Sequence, residues 1–195
     1  MSENIPVLFS AVFTIPTVWN GGEAYYTVNI GSASGQSPST MGKGDPLHHV
    51  IIYNRKDPNA GPVFEANAPD NTTVPKGLEQ YLTDEYIMFW VSAAFTAGMP
   101  QGALFKMLDE NGGGRLLRRM EILSTAMACG VNANMVYMVA SIPNVGLGGV
   151  EYLGQAEMSM SGGKDPTRVH KVAPYQMLLE LIPAPNGDYT PLELS

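Results

Sequence analysis

Charge is unusually scarce in this chain. Asp, Glu, Lys and Arg supply 15% of its 195 residues, against roughly 25% in an ordinary soluble domain. The shortage is concentrated, because no charged side chain occurs over 4–22, 24–42, 86–105 or 122–150. A monomer relies on surface charge to stay apart from its neighbours, whereas a subunit that covers much of its surface does not.

Cysteine is nearly absent as well. Cys129 stands alone, so neither an intrachain disulfide nor a cysteine metal cluster can form. Its neighbours Ala126, Met127, Ala128 and Gly130 make an apolar setting that disfavours a thiolate, which fits a structural thiol better than a nucleophile.

Positive charge is scarce too. The formal net charge is -7, and neither end carries a Lys/Arg tail, which argues against general nucleic-acid binding. Met1 to Asn4 lacks the basic region of a secretory signal, and Pro6 and Pro16 interrupt the apolar run behind it. Cytoplasmic synthesis is therefore the expectation, with the final location left open. Asn71-Thr72-Thr73 matches a glycosylation acceptor but is read as a turn. The uncharged run over 122–150 is broken by Asn132, Asn134, Pro143 and Asn144, so no transmembrane segment is expected. A pore-forming protein that inserts after assembling is kept as a minor alternative.

What is present indicates a folded chain. The apolar fraction is 45%, no composition break marks a linker, and one domain over 1–195 is the expectation. Gln101 to Glu110 carries Leu104, Met107 and Leu108 as one helical stripe, and Asn111 with Gly112, Gly113 and Gly114 ends it. A second helix runs from Arg115 to Ala128, with Leu116, Met120, Leu123 and Met127 as its stripe, Leu117 beside them, and Arg115, Arg118 and Arg119 on the other side.

Strands are expected over Val7–Ile15 and Ala24–Ile30, as a hairpin, and over His48–Asn54, Ile87–Phe95 and Asn134–Ile142, as strands covered on both faces. Val150–Ser161 reads as half-buried, with Val150 and Tyr152 inward and Glu151 outward. It should pair antiparallel with a strand inside Val169–Ile182. Gly31–Gly44 reads as a loop, Leu78–Tyr86 as one or two helical turns, and Pro183–Ser195 as an extended arm. The fold class that results is α+β, mainly β: an antiparallel sheet or two-layer β-sandwich of about six to eight strands, with the helical pair packed on one face.

Candidate sites are few. Three glycines ahead of Arg115, Arg118 and Arg119 could receive an anion or an acidic partner at a helix N-terminus, although the spacing fits neither nucleotide-binding loop. The competing reading is a turn followed by a solvated face. Trp19, Tyr25 and Tyr26, with Asn20 and Glu23 nearby, could stack on a carbohydrate ligand. His48 and His49 point to opposite faces of a strand and cannot easily share a metal ion without His170 or Asp45. One is expected in the core, bonded to backbone, and the other near a sheet surface. The twelve methionines suit core filling or an adaptable binding surface.

No serine-hydrolase elbow or zinc-protease helix occurs, so no catalytic residue, cofactor or metal is assigned. The sequence points to a non-enzymatic, self-assembling structural protein whose partner is itself: a subunit of a particle, tube, filament or intracellular inclusion. A ligand- or carbohydrate-binding module is the alternative.

Overall fold

The computed structural model describes residues 9–15, 24–30, 39–41, 48–94, 99–126, 135–146, 148–155 and 175–193, with side chains over 48–92, 99–119, 121–122, 137–146, 148–153 and 177–192. These residues form ten strands and two α-helices. The strands are β1 (Phe9–Ile15), β2 (Ala24–Ile30), β3 (Ser39–Met41), β4 (His48–Asn54), β5 (Pro62–Asn67), β6 (Tyr86–Ala94), β7 (Met135–Ser141), β8 (Val150–Gln155), β9 (Tyr175–Pro183) and β10 (Tyr189–Glu193). The helices are α1 (Gly102–Glu110) and α2 (Arg115–Ala126). The protein is mainly β with a small helical part.

One sheet has the order β5-β4-β6-β7-β8 and a second the order β10-β9-β1-β2-β3, and all the pairings are antiparallel. The central strands of the first sheet are the apolar runs the sequence marks. Val50, Ile51, Ile52, Phe89, Trp90, Val91, Met138, Val139 and Ala140 are all buried, as strands covered on both faces must be.

The two faces have different cover. Val50, Ile52, Met88, Trp90, Tyr137 and Val139 pack with Leu104, Met107 and Leu108 of α1 and Leu117 of α2 in one cluster. The helical pair thus lies on one face of the sheet, held by the stripe expected for α1. In α2 Leu117 is buried and Leu116 half-buried, while Ile122 is 67% exposed; the side chains of Met120, Leu123 and Met127 lie outside the described ones. On the opposite face Tyr53 meets Phe89 edge to face, with ring centroids 5.6 Å apart. The second sheet has its own buried stripe, Met177, Leu179 and Leu181. Arg55 ties the two sheets together: its backbone carbonyl accepts the Tyr189 N–H and its Nε donates to the Tyr189 carbonyl.

The triple-glycine turn is pinned. Gly113 N–H donates to the Leu108 carbonyl, and Gly114 N–H to the Tyr137 hydroxyl. Gly112 and Gly114 adopt φ of 90° and 82°, values that glycine tolerates because it has no Cβ.

Three expectations are corrected. β8 does not pair with β9, because β8 joins β7 whereas β9 lies between β1 and β10. A strand apolar on both alternations is suited to two neighbours, and a half-polar one to an edge. The C-terminal segment is not a free arm, since its turn returns β10 onto β9 with Tyr189 opposite Pro183. The strands also outnumber the expectation, because β3, β5 and β10 pair at sheet edges: β3 has three residues, too few to show a period, and β5 and β10 each contain a proline and no regular apolar–polar alternation in sequence. Val7, Leu8 and residues 156–161, read as strand, lie outside the described residues.

Candidate functional site

The most exposed apolar surface with a common address is the outer face of the β9–β10 hairpin. β9 alternates, so that burying Met177, Leu179 and Leu181 sends Leu178, Glu180 and Ile182 the other way. Leu178 is 47% exposed and Ile182 38%, and Leu192, opposite Glu180 on β10, is 53% exposed. Leu192 is diagonal to both, within reach across a strand pair. Val63, Ile122 and Val145 are also exposed, but they belong to separate elements and need no such explanation.

The surrounding sheet is equally poor in charge. β1, β2 and β3 contain no Asp, Glu, Lys or Arg, and Glu180 and Glu193 are the charged residues of β9 and β10. Register sets Val12 opposite Leu178 and Ser10 opposite Glu180, so the strand beside Leu178 adds no charge. One edge is a three-residue strand, and the other carries a proline, Pro191; both features discourage strand addition at an edge.

The arginine candidates are engaged within the chain. Glu151 brings a side chain only 1% exposed under the N-terminus of α2. Its Oε2 accepts the Leu116 N–H at 2.9 Å and the Tyr137 hydroxyl at 3.0 Å, while Oε1 lies 3.4 Å from Arg115 Nε. The helix dipole and the unpaired N–H groups thereby receive a carboxylate from the protein itself. Burial, reinforced by the Glu151 charge, raises the Tyr137 phenol well above its ordinary range. Arg118 pairs with Asp109 and lies over the Phe105 ring. Arg119 is exposed, with no ion-pair partner among the described residues. The outward position expected for Glu151 is thus overturned: Glu151, opposite Val139, and Leu153, opposite Tyr137, lie on the helix-facing side of β8.

Both histidines are buried, and the His48 ring contacts side chains at both nitrogens. His48 Nδ1 is 2.9 Å from Ser92 Oγ, and its Nε2 is 2.9 Å from Asn71 Oδ1. Trp90 Nε1 donates to the same Ser92 oxygen at 2.8 Å. Burial lowers the His48 pKa, against the opposing pull of Asn71 and Asp70. On the other face His49 Nδ1 is 2.6 Å from Asn67 Oδ1 and Nε2 is 3.2 Å from Glu65. Burial, aided by Glu65, pushes Tyr53 up to about 12. The expected surface histidine is overturned, since both are buried, and the His48 ring bonds side chains where backbone was expected. Ser, His and Asn in one chain have the composition of a hydrolytic triad, but Ser92 and His48 have no exposed surface, and a nucleophile needs access to its substrate.

Among the described residues no group of three His, Cys, Asp or Glu could hold a metal ion, and no helix is long and apolar enough to cross a membrane. Trp19, Cys129, His170 and Asp45 lie outside the described residues; Tyr25 and Tyr26 lie in β2, opposite Thr40 and Ser39. The alternation of β9 gave a signal for the exposed apolar face, whereas nothing local marked Glu151 or Ser92 as partners of distant groups. Comparison with protein-family models, curated proteins and solved structures finds no match for the chain.

Proposed function

We propose that the chain is a structural subunit that self-assembles, with the outer face of its second sheet covered by another copy. The observation that carries this reading is the cluster of Leu178, Ile182 and Leu192 on a five-stranded sheet whose strands hold two charged residues. Apolar surface of this kind gains free energy on leaving water, at about 25 cal/mol per Å². A copy of the same chain offers it an equally charge-poor surface, on which Glu180 is the charged side chain of β9 that the contact must desolvate or keep wet. The closed β10 hairpin makes this an association of faces rather than an exchange of C-terminal arms.

Light scattering after size exclusion, with electron microscopy of the same sample, tests the reading. Defined assemblies that revert to a 21.0 kDa species in the double variant Leu178→Glu, Leu192→Glu, with circular dichroism unchanged, are the expected result. A wild-type monomer at high concentration overturns it.

A further inference from the structure

The hydrogen bonds around His48 run in one direction. An amide oxygen only accepts, so the imidazole proton faces Asn71 Oδ1 from Nε2, and Ser92 Oγ, which accepts from Trp90 Nε1, donates its own hydrogen to Nδ1 of the neutral ring. Nδ1 is then the acceptor, and the ring proton sits on Nε2, facing Asn71 Oδ1. Every member is satisfied only while the ring is neutral.

The far end of this chain supports a helix. The Asn71 carbonyl accepts the Gln101 N–H at 2.7 Å, and the Thr72 carbonyl accepts the Leu104 N–H at 3.0 Å. These lie at the start of α1, where backbone donors have few carbonyls from a preceding turn; the Leu104 N–H is shared with the Gln101 carbonyl at 3.1 Å. The loop is itself shaped by Asp70, whose carboxylate accepts from Thr72 and Thr73. His48 is thus set between the interior of the sheet and the loop that caps α1.

We propose that His48 is an acid-sensitive latch: a second proton on the ring, at Nδ1, turns the acceptor that Ser92 uses into a donor while Nε2 still donates to Asn71, and the buried charge that results is relieved when the 69–73 loop, together with the first turn of α1, opens to admit water. Ser92 and Trp90 are fully buried whereas Asn71 is half-buried, so water reaches the imidazolium from the loop side, and the loop is what must move. The charged groups around the ring have separate places. Asp70 faces it from the loop and favours the imidazolium, but burial outweighs it. β6 contributes the neutral Ser92 and Trp90, α1 pairs Lys106 with Glu110 in solvent, and Glu65 meets His49 across the opposite face of β4.

The closed state binds the proton less readily than an open ring near 6.5. Its advantage is therefore complete above 6.5 and is lost as pH falls from there toward the lower value of the closed state.

Amide hydrogen exchange between about pH 7.5 and 5, corrected for intrinsic rates, tests the latch. Within that window Asp70, held near 2, stays charged. Exchange at Gln101 and Leu104 should speed by up to about tenfold per pH unit below 6.5, while Phe89 and Val91 in β6 stay protected. Asn71→Ala should exchange faster at both ends of the range and lose the step, and His48→Gln should lose the step. Imidazole nitrogen shifts of the wild-type protein, which need no variant to fold, should show the Nε2–H tautomer at neutral pH. An Nδ1–H tautomer, flat exchange at Gln101 and Leu104, or a step that survives in His48→Gln overturns the proposal.

Discussion

Glu151 caps α2 from 35 residues away, with its Oε2 2.9 Å from the Leu116 nitrogen. The helix end that the three glycines open is therefore filled by a carboxylate of the protein, and the same oxygen accepts the Tyr137 hydroxyl.

Removing that carboxylate strands the groups around it. Glu151→Ala leaves the Leu116 N–H and the Tyr137 hydroxyl without their acceptor and Arg115 without its ion pair. It should cost about 2–4 kcal/mol in urea unfolding. Glu151→Gln, which keeps an acceptor and loses the charge, should cost less. Equal stability of Glu151→Ala and wild type would remove the cap from the account of α2.

Two glycines near the start of β8 should behave oppositely. A Cβ on Gly149 would stand 2.6 Å from the Ala140 carbonyl oxygen and 2.9 Å from that of Gly112, whereas one on Gly148 meets nothing within 4 Å. Backbone cannot withdraw as a side chain can, so Gly149→Ala should lower stability by about 3 kcal/mol. Gly148→Ala should stay within about 0.5 kcal/mol of wild type. Thermal melting of the two variants side by side decides it.

Arg55 holds the C-terminal hairpin. Its guanidinium donates to the Tyr189 and Asp84 carbonyls and approaches Asp188 at 3.9 Å. Arg55→Ala should loosen β10 locally, by about 2 kcal/mol for the lost charged hydrogen bonds. Hydrogen exchange should quicken at Leu192 and leave Val91 unchanged. Unaltered protection of β10 would mean that its pairing with β9 suffices.

Asp70 makes the loop sensitive to strong acid. Hydrogen bonds from the Thr72 backbone and side chain, then from Thr73, hold its carboxyl near 2. A depressed carboxyl stabilises the fold above its ordinary value of 3.8 and loses that contribution as pH falls through about 2. Asp70→Asn should therefore melt below wild type at neutral pH, and the gap should close over that interval. A gap independent of pH would assign the effect to loop shape rather than ionisation.

Several elements were legible in the sequence because their information is local. Alternation over His48–Asn54, the Leu104, Met107 and Leu108 stripe, and glycines able to take positive φ at Gly112 and Gly114 follow from strand period, helix period and the missing Cβ. Apart from the β1–β2 hairpin, tertiary structure decided which strands meet. The placement of β8 beside β7 turned Glu151 inward, and the pairing of β4 with β6 set Ser92 opposite His48. These depend on which apolar faces find cover and which buried polar groups find partners, and contacts between distant segments leave no period in the chain.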